Sequence, residues 1–171
     1  ATAAGLAANR EALLGCLACT DYTTLRETDS PRSVQAFTRR AVELTVEKGL
    51  PPVASICVYP SLVDAVGVAL AEAPAGSAAE NIGITAVCGA FPSGQTYMEV
   101  KMLECAMAIE NGADELDTVI NVGAILSGDY DLAESELAMM REEIDGEALL
   151  KVILETGSLA DPELIYRAAM L

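Results

Sequence analysis

Two residues have the type and setting for chemistry: Asp117, inside ELDTVIN (115 to 121), and Lys151, inside LLKVILET (149 to 156). Both segments read as strands. With side chains alternating in direction, Glu115, Asp117, Val119 and Asn121 share one face, and Leu149, Lys151, Ile153 and Glu155 share another. A charge in mid-strand is costly to bury unless it is paired or hydrogen-bonded. Lys151 then has two readings: an amine whose proton is loosened by desolvation, suited to nucleophilic or general-base work, or one half of a buried ion pair. If the two strands are neighbours, Asp117 and Lys151 face the same interior. Asp21, inside LACTDYT, joins them if the sheet closes into a barrel; its other reading is a strand-end carboxylate that caps a turn. The remaining lysines, Lys48 and Lys101, are expected on the polar faces of helices.

Composition narrows the chemistry. The chain contains no histidine, which removes imidazole-activated nucleophiles and histidine-bound zinc and leaves carboxylates, lysine, tyrosine and thiols. No metal or other cofactor is expected. A net charge of −16 argues against nucleic-acid and anionic-membrane partners, both of which select basic surfaces. No apolar run approaches the roughly 18 residues of a membrane span, and the first residues lack a basic leader followed by an apolar core. The five cysteines are odd in number and mostly set in apolar segments, which suits reduced, buried thiols in a cytoplasmic protein. Cys16 and Cys19 form a C-x-x-C, but no second pair and no redox context accompany them, so the bland reading is preferred.

These residues need elements to position them. Hydrophobic content of 52% over 171 residues predicts one folded domain, residues 1–171. A helical segment around Arg10 to Leu14 precedes strands predicted near 17–23, 53–59, 82–88, 116–122 and 149–155. Between them the periodicity predicts helices. One opens at Asp29-Ser30-Pro31 with Val34, Phe37, Ala41 and Leu44 inward, and one runs from about Ser61 to Glu72 with Val63, Val66 and Leu70 inward. A third is signalled by Thr96 and Glu99 as a capping box, with Val100, Leu103 and Met107 inward, and a fourth spans about Asp131 to Ile144. Asp161-Pro162 starts a last helix.

The predicted strand starts at 17, 53, 82, 116 and 149 are 36, 29, 34 and 33 residues apart, the rhythm of repeated βα units. Neither nucleotide-binding glycine motif follows a strand, which disfavours an open nucleotide-binding sheet. Polar residues instead mark several strands, as in the active face of an eight-stranded (β/α)8 TIM barrel. The fold expectation is α/β, a TIM barrel of which about five βα units are present, since eight such units need roughly 250 residues.

The blocks TDYTTL (20 to 25), SICVYP (55 to 60), FPSG (91 to 94), GADELDTVINVGAILSGDY (112 to 130) and LLKVILETGSL (149 to 159) closely resemble deoxyribose-phosphate aldolase, in order and over nearly the whole chain from Leu13. The resemblance implies a metal-independent class I aldolase on a (β/α)8 barrel, acting in deoxyribose phosphate catabolism. It would reversibly cleave 2-deoxy-D-ribose 5-phosphate to glyceraldehyde 3-phosphate and acetaldehyde through a lysine Schiff base. It further implies that Asp117 takes part in proton relay through an ordered water, and that Lys151 is a neighbouring lysine of the site rather than the covalent one. Asp21, Thr23, Leu25 and Cys57 would line the substrate end, the partner would be a small phosphorylated sugar, and a homo-oligomer is compatible. The Schiff-base lysine and its activating lysine match positions beyond Leu171, so the 171-residue portion alone is expected to be inactive. An aldolase-like binding or scaffold protein without activity is the alternative, and a third reading makes Lys151 itself the imine-forming residue.

Overall fold

The computed structural model describes Gly5 and residues 9–171. The chain divides into two compact units, residues 1–85 and 86–171. The third strand, β3 (Gly83–Cys88), carries residues of both.

In the first unit, Asn9 caps helix α1 (Arg10–Ala18) by accepting from the Ala12 amide. The helix runs through Leu17 and Ala18, so β1 shrinks to Asp21–Thr23 rather than starting at Leu17. A good cap followed by an Ala- and Leu-rich run lets helical propensity win there. Helix α2 (Pro31–Val46) starts as expected: Ser30 accepts from the Ser33 amide, and the Ser33 hydroxyl accepts from the Ser30 amide. It buries Val34, Thr38, Ala41 and Thr45. Strand β2 (Ser55–Val58) is buried throughout, and helix α3 (Val63–Leu70) follows, burying Val63 and Val66. β1 and β2 pair in parallel with Asp21 opposite Ser55 and Thr23 opposite Cys57. On the other face of β1, the Tyr22 ring stacks on Phe37 of α2 with centroids 4.1 Å apart.

The second unit continues from the end of β3 into helix α4 (Met98–Glu110), strand β4 (Glu115–Val119), helix α5 (Val122–Ser127), helix α6 (Tyr130–Ile144) and strand β5 (Leu149–Ile153). Helices α7 (Thr156–Leu159) and α8 (Pro162–Ala169) complete it, with Asp161 capping α8 and Pro162 at its first position as the sequence predicts. The strands lie in the order β1-β2-β3-β4-β5 of one parallel sheet, the βα arrangement of the TIM-barrel type. Ile120, Ala124, Ile125, Ala133, Leu159 and Ala168 form a core in this unit. Among the described residues, no helix is long and apolar enough to cross a membrane.

Three expectations for the second unit change. β4 stops at Val119 instead of reaching Val122, because the Asn121 side chain accepts from the Ala124 amide and caps α5. Helix α4 starts without the capping box: Tyr97 is its cap and makes no side-chain bond. The buried face of α4 is also a different one, since Val100, Leu103 and Met107 are 48%, 59% and 51% exposed while Lys101, Cys105 and Ala108 are buried.

The segment leaving β3 runs hard against β4. Gly89 sits at φ +64, and a Cβ there would lie 2.2 Å from Thr118 Oγ1; a Cβ on Gly94, at φ +66, would lie 2.9 Å from the Val119 carbonyl oxygen. Gly89→Ala combines a left-handed backbone with a contact that Thr118 must yield to. It should lower unfolding free energy by about 2 to 4 kcal/mol in urea denaturation, more than the roughly 1 to 2 kcal/mol of the backbone conformation alone.

Candidate active site

In the second unit, β4 and β5 pair in parallel with Asp117 opposite Lys151 and Glu115 opposite Leu149. Alternation puts Glu115, Asp117 and Lys151 on one face, and the lysine bridges the two acids: Nζ lies 3.0 Å from Glu115 Oε2 and 3.0 Å from Asp117 Oδ1. The three side chains retain some solvent contact, at 25%, 16% and 29% exposure respectively, so water reaches the cluster. One ammonium between two carboxylates leaves a net charge of −1. The geometry therefore matches the ion-pair reading of Lys151, and it offers two carboxylates and an ammonium for proton movement rather than a free amine for attack. Glu115 is the member that sequence reasoning does not single out as a site residue, although alternation places it beside Asp117.

Cys88 ends β3 next to this cluster, and its Sγ lies 3.4 Å from Sγ of Cys105 on α4. Hydrogen bonding with Cys105 and burial push the Cys88 thiol well above its ordinary range, and the charges of Cys105, Glu104 and Asp117 push the same way. Glu104 accepts from the Ala90 amide at 2.9 Å, holding the turn after β3 to α4.

At the C-terminal end of β4 the structure overturns the expectation for Lys101. It is 1% exposed, and its Nζ donates to Glu136 Oε2 at 2.8 Å. The other oxygen of Glu136 accepts from Asn121 Nδ2 at 3.0 Å.

In the first unit, Thr85 Oγ1 donates to Ser55 Oγ at 2.7 Å, and Ser55 Oγ donates to Asp21 Oδ1 at 2.7 Å. Ser55 and Thr85 are fully buried. This chain of hydroxyls orients the Asp21 carboxylate, which is more than a strand-end cap requires. Alternation and register put Asp21, Thr23, Ser55 and Cys57 on one face of the β1–β2 ladder, with Cys57 buried and Thr23 exposed. The Leu25 carbonyl accepts from the Tyr59 hydroxyl at 3.3 Å. Ser55 and Thr85 are partners that sequence reasoning does not assemble, since their link to Asp21 is visible only once the strands are aligned.

Of the five free thiols, Cys57, Cys88 and Cys105 are buried as expected, whereas Cys16 and Cys19 are exposed at the end of α1. Among the described residues, no group of three or more histidine, cysteine, aspartate or glutamate side chains is placed to hold a metal ion.

A parallel βα sheet with a carboxylate–lysine cluster on neighbouring strands is an enzyme-like arrangement of the TIM-barrel class. The chain is 34% identical over 170 residues to the human deoxyribose-phosphate aldolase, covering 93% of this chain and 51% of that protein. It is 40% identical over 143 residues to the deoxyribose-phosphate aldolase of Streptococcus gordonii, covering 84% of this chain and 58% of that one. The crystal structure of a protein described as a deoxyribose-phosphate aldolase from Coccidioides immitis superposes with a TM-score of 0.73 at 26% identity, covering 91% of this chain and 55% of that chain. No family model matches. The chain is similar to deoxyribose-phosphate aldolases over most of its own length and spans between half and three-fifths of the length of these curated relatives.

The thiol environments give a direct test. Iodoacetamide applied to folded protein near pH 8.5 should alkylate Cys16 and Cys19 and leave Cys57, Cys88 and Cys105 unmodified until denaturant is added, read by peptide mass spectrometry. Folded Cys88 holds its proton beyond the range near 8.5 in which an unfolded thiol ionises, so this group's contribution to stability should fall as pH rises above that range.

Proposed function

We propose that this chain supplies the acid-bearing part of a deoxyribose-phosphate aldolase, an enzyme that reversibly cleaves 2-deoxy-D-ribose 5-phosphate to glyceraldehyde 3-phosphate and acetaldehyde. The observation that carries the reading is the in-register Asp117–Lys151 pair on β4 and β5, in a chain whose relatives bear that enzyme's name. Retro-aldol cleavage through an imine needs an amine nucleophile, a group that moves protons at the carbon next to the imine, and an acid–base partner for the hydroxyl whose C–C bond breaks. Asp117 serves the proton relay, and Lys151 holds its charge and orientation. Asp21, kept in place by Ser55 and Thr85, works with Thr23, Leu25 and Cys57 at the substrate end. The covalent lysine and its activating lysine lie outside residues 1–171, so this portion by itself is inactive. The enzyme needs no metal, works in the cytoplasm and forms a homo-oligomer.

Borohydride reduction of the full-length polypeptide in the presence of deoxyribose 5-phosphate should trap an imine on a lysine outside residues 1–171, located by peptide mass spectrometry. Asp117→Asn should lower kcat on the order of 10²- to 10⁴-fold, the range for loss of a proton-transfer group. Lys151→Ala should leave imine trapping intact. An adduct on Lys151 would make that residue the nucleophile instead of a charge partner, and absence of any lysine adduct would remove the aldolase reading.

A further inference from the structure

Lys101 is the one charged side chain among the fully buried described residues, and nothing in the proton-transfer chemistry above uses it. A buried ammonium is costly to desolvate, and replacing a buried ion pair by well-packed apolar residues is often neutral or stabilising. Stability alone is thus a poor reason for it, which directs attention to what the pair holds. Lys101 lies in the first turn of α4, Glu136 is on α6, and Asn121 sits between β4 and α5 as the cap of α5. Glu136 spends one oxygen on Lys101 and the other on Asn121 Nδ2, and Asn121 uses its own oxygen to cap α5 through the Ala124 amide. Every polar atom in this relay has a partner 2.8 to 3.0 Å away. Asn121 is also where the chain leaves the strand that carries Asp117, and in a sheet of this type the C-terminal strand ends build the active face.

We propose that Lys101 is a positioning residue. Through Glu136 it fixes the rotamer of Asn121, and with it the turn between β4 and α5 that forms the rim of the site at the end of the Asp117 strand. The part of this claim that concerns catalysis rests on the aldolase reading; the part that concerns geometry does not.

Lys101→Met separates the two. In that variant Glu136 and Asn121 keep the groups needed to bond each other. If Lys101 directs Glu136, the Asn121 side-chain amide signals of the full-length protein, resolved and slow to exchange in the parent, become averaged and exchange at least tenfold faster. If they keep their shifts and protection, the proposal is overturned. Should Lys101→Met not fold, the double variant Lys101→Met/Glu136→Leu removes both charges and takes its place. Its thermal midpoint is expected to match or exceed that of the parent, with kcat for deoxyribose 5-phosphate cleavage at least tenfold lower and KM within twofold. Unchanged kcat in a stable double variant would mark the network as packing only and overturn the proposal. If parent and variants alike show no turnover, the aldolase reading has failed, and the NMR comparison alone decides whether Lys101 positions Asn121, with Asn121→Ala assigning the signals.

Discussion

Two acids side by side on one face of β4 are held opposite a cation. At an effective dielectric near 20, unit charges about 3 Å apart attract by roughly 5 kcal/mol, whereas two like charges about 6 Å apart, the widest separation that two oxygens bound to one Nζ can have, repel by roughly half that. Lys151, in contact with both Glu115 and Asp117, therefore outweighs their repulsion before desolvation is counted. The cation arrives by register: parallel pairing sets Asp117 opposite Lys151. A slip of one residue would turn Lys151 to the other face of the sheet and leave the acids facing each other unneutralised. The pairing of β4 with β5 is thus specified by charge as well as by apolar burial.

The same strand is held from its other side and its end. Gly89 and Gly94 let the segment after β3 approach Thr118 and the Val119 carbonyl more closely than any residue with a Cβ allows. Buried Thr118 and Leu116 face the helix layer while Glu115 and Asp117 face the opposite way. Asn121 then ends the strand by bonding forward into α5 and sideways to Glu136. β4 is constrained along its length by neighbours of different chemistry: a carboxylate–ammonium cluster, a glycine-permitted backbone contact and a buried ionic relay.

Much of this is legible in the sequence wherever the deciding contacts follow from a local period. Alternation assigns Asp117 and Lys151 to defined faces of their strands, and the spacing of βα units makes those strands expected neighbours, so that both face one interior. Helix α4 defeats the periodicity because both of its faces carry apolar residues at helical spacing, so the pattern cannot choose between Val100, Leu103 and Met107 and the pair Cys105 and Ala108. The residue that settles the choice is Lys101, whose partner Glu136 is 35 positions away. Charge complementarity at that separation becomes readable only after α4 and α6 are packed. The short helix α5 carries local signals, Asn121 as cap and Gly128 in a left-handed C-terminal position, but the β-branched residues before it read as a continuing strand. Ser55 stands out in the sequence as a polar residue in a strand, but its bonds to Asp21 and Thr85 do not, because a buried hydroxyl has no signature apart from the carboxylate it orients.

The disposition of the lysines bears on whether any of them suits the proposed imine chemistry. An imine-forming amine must lose its proton and reach a carbonyl carbon, which asks for a dry pocket or a neighbouring cation and no close carboxylate. The chain contains three lysines. Lys48 is exposed just after α2, outside any dry pocket. Lys101 is buried against Glu136, and Lys151 is held between Glu115 and Asp117. Each buried or half-buried amine is therefore in contact with a carboxylate, the reverse of the setting that a nucleophile needs. In the aldolase reading proposed above, Lys101 and Lys151 therefore fix charge, and none of the three lysines has the setting of an imine-forming amine.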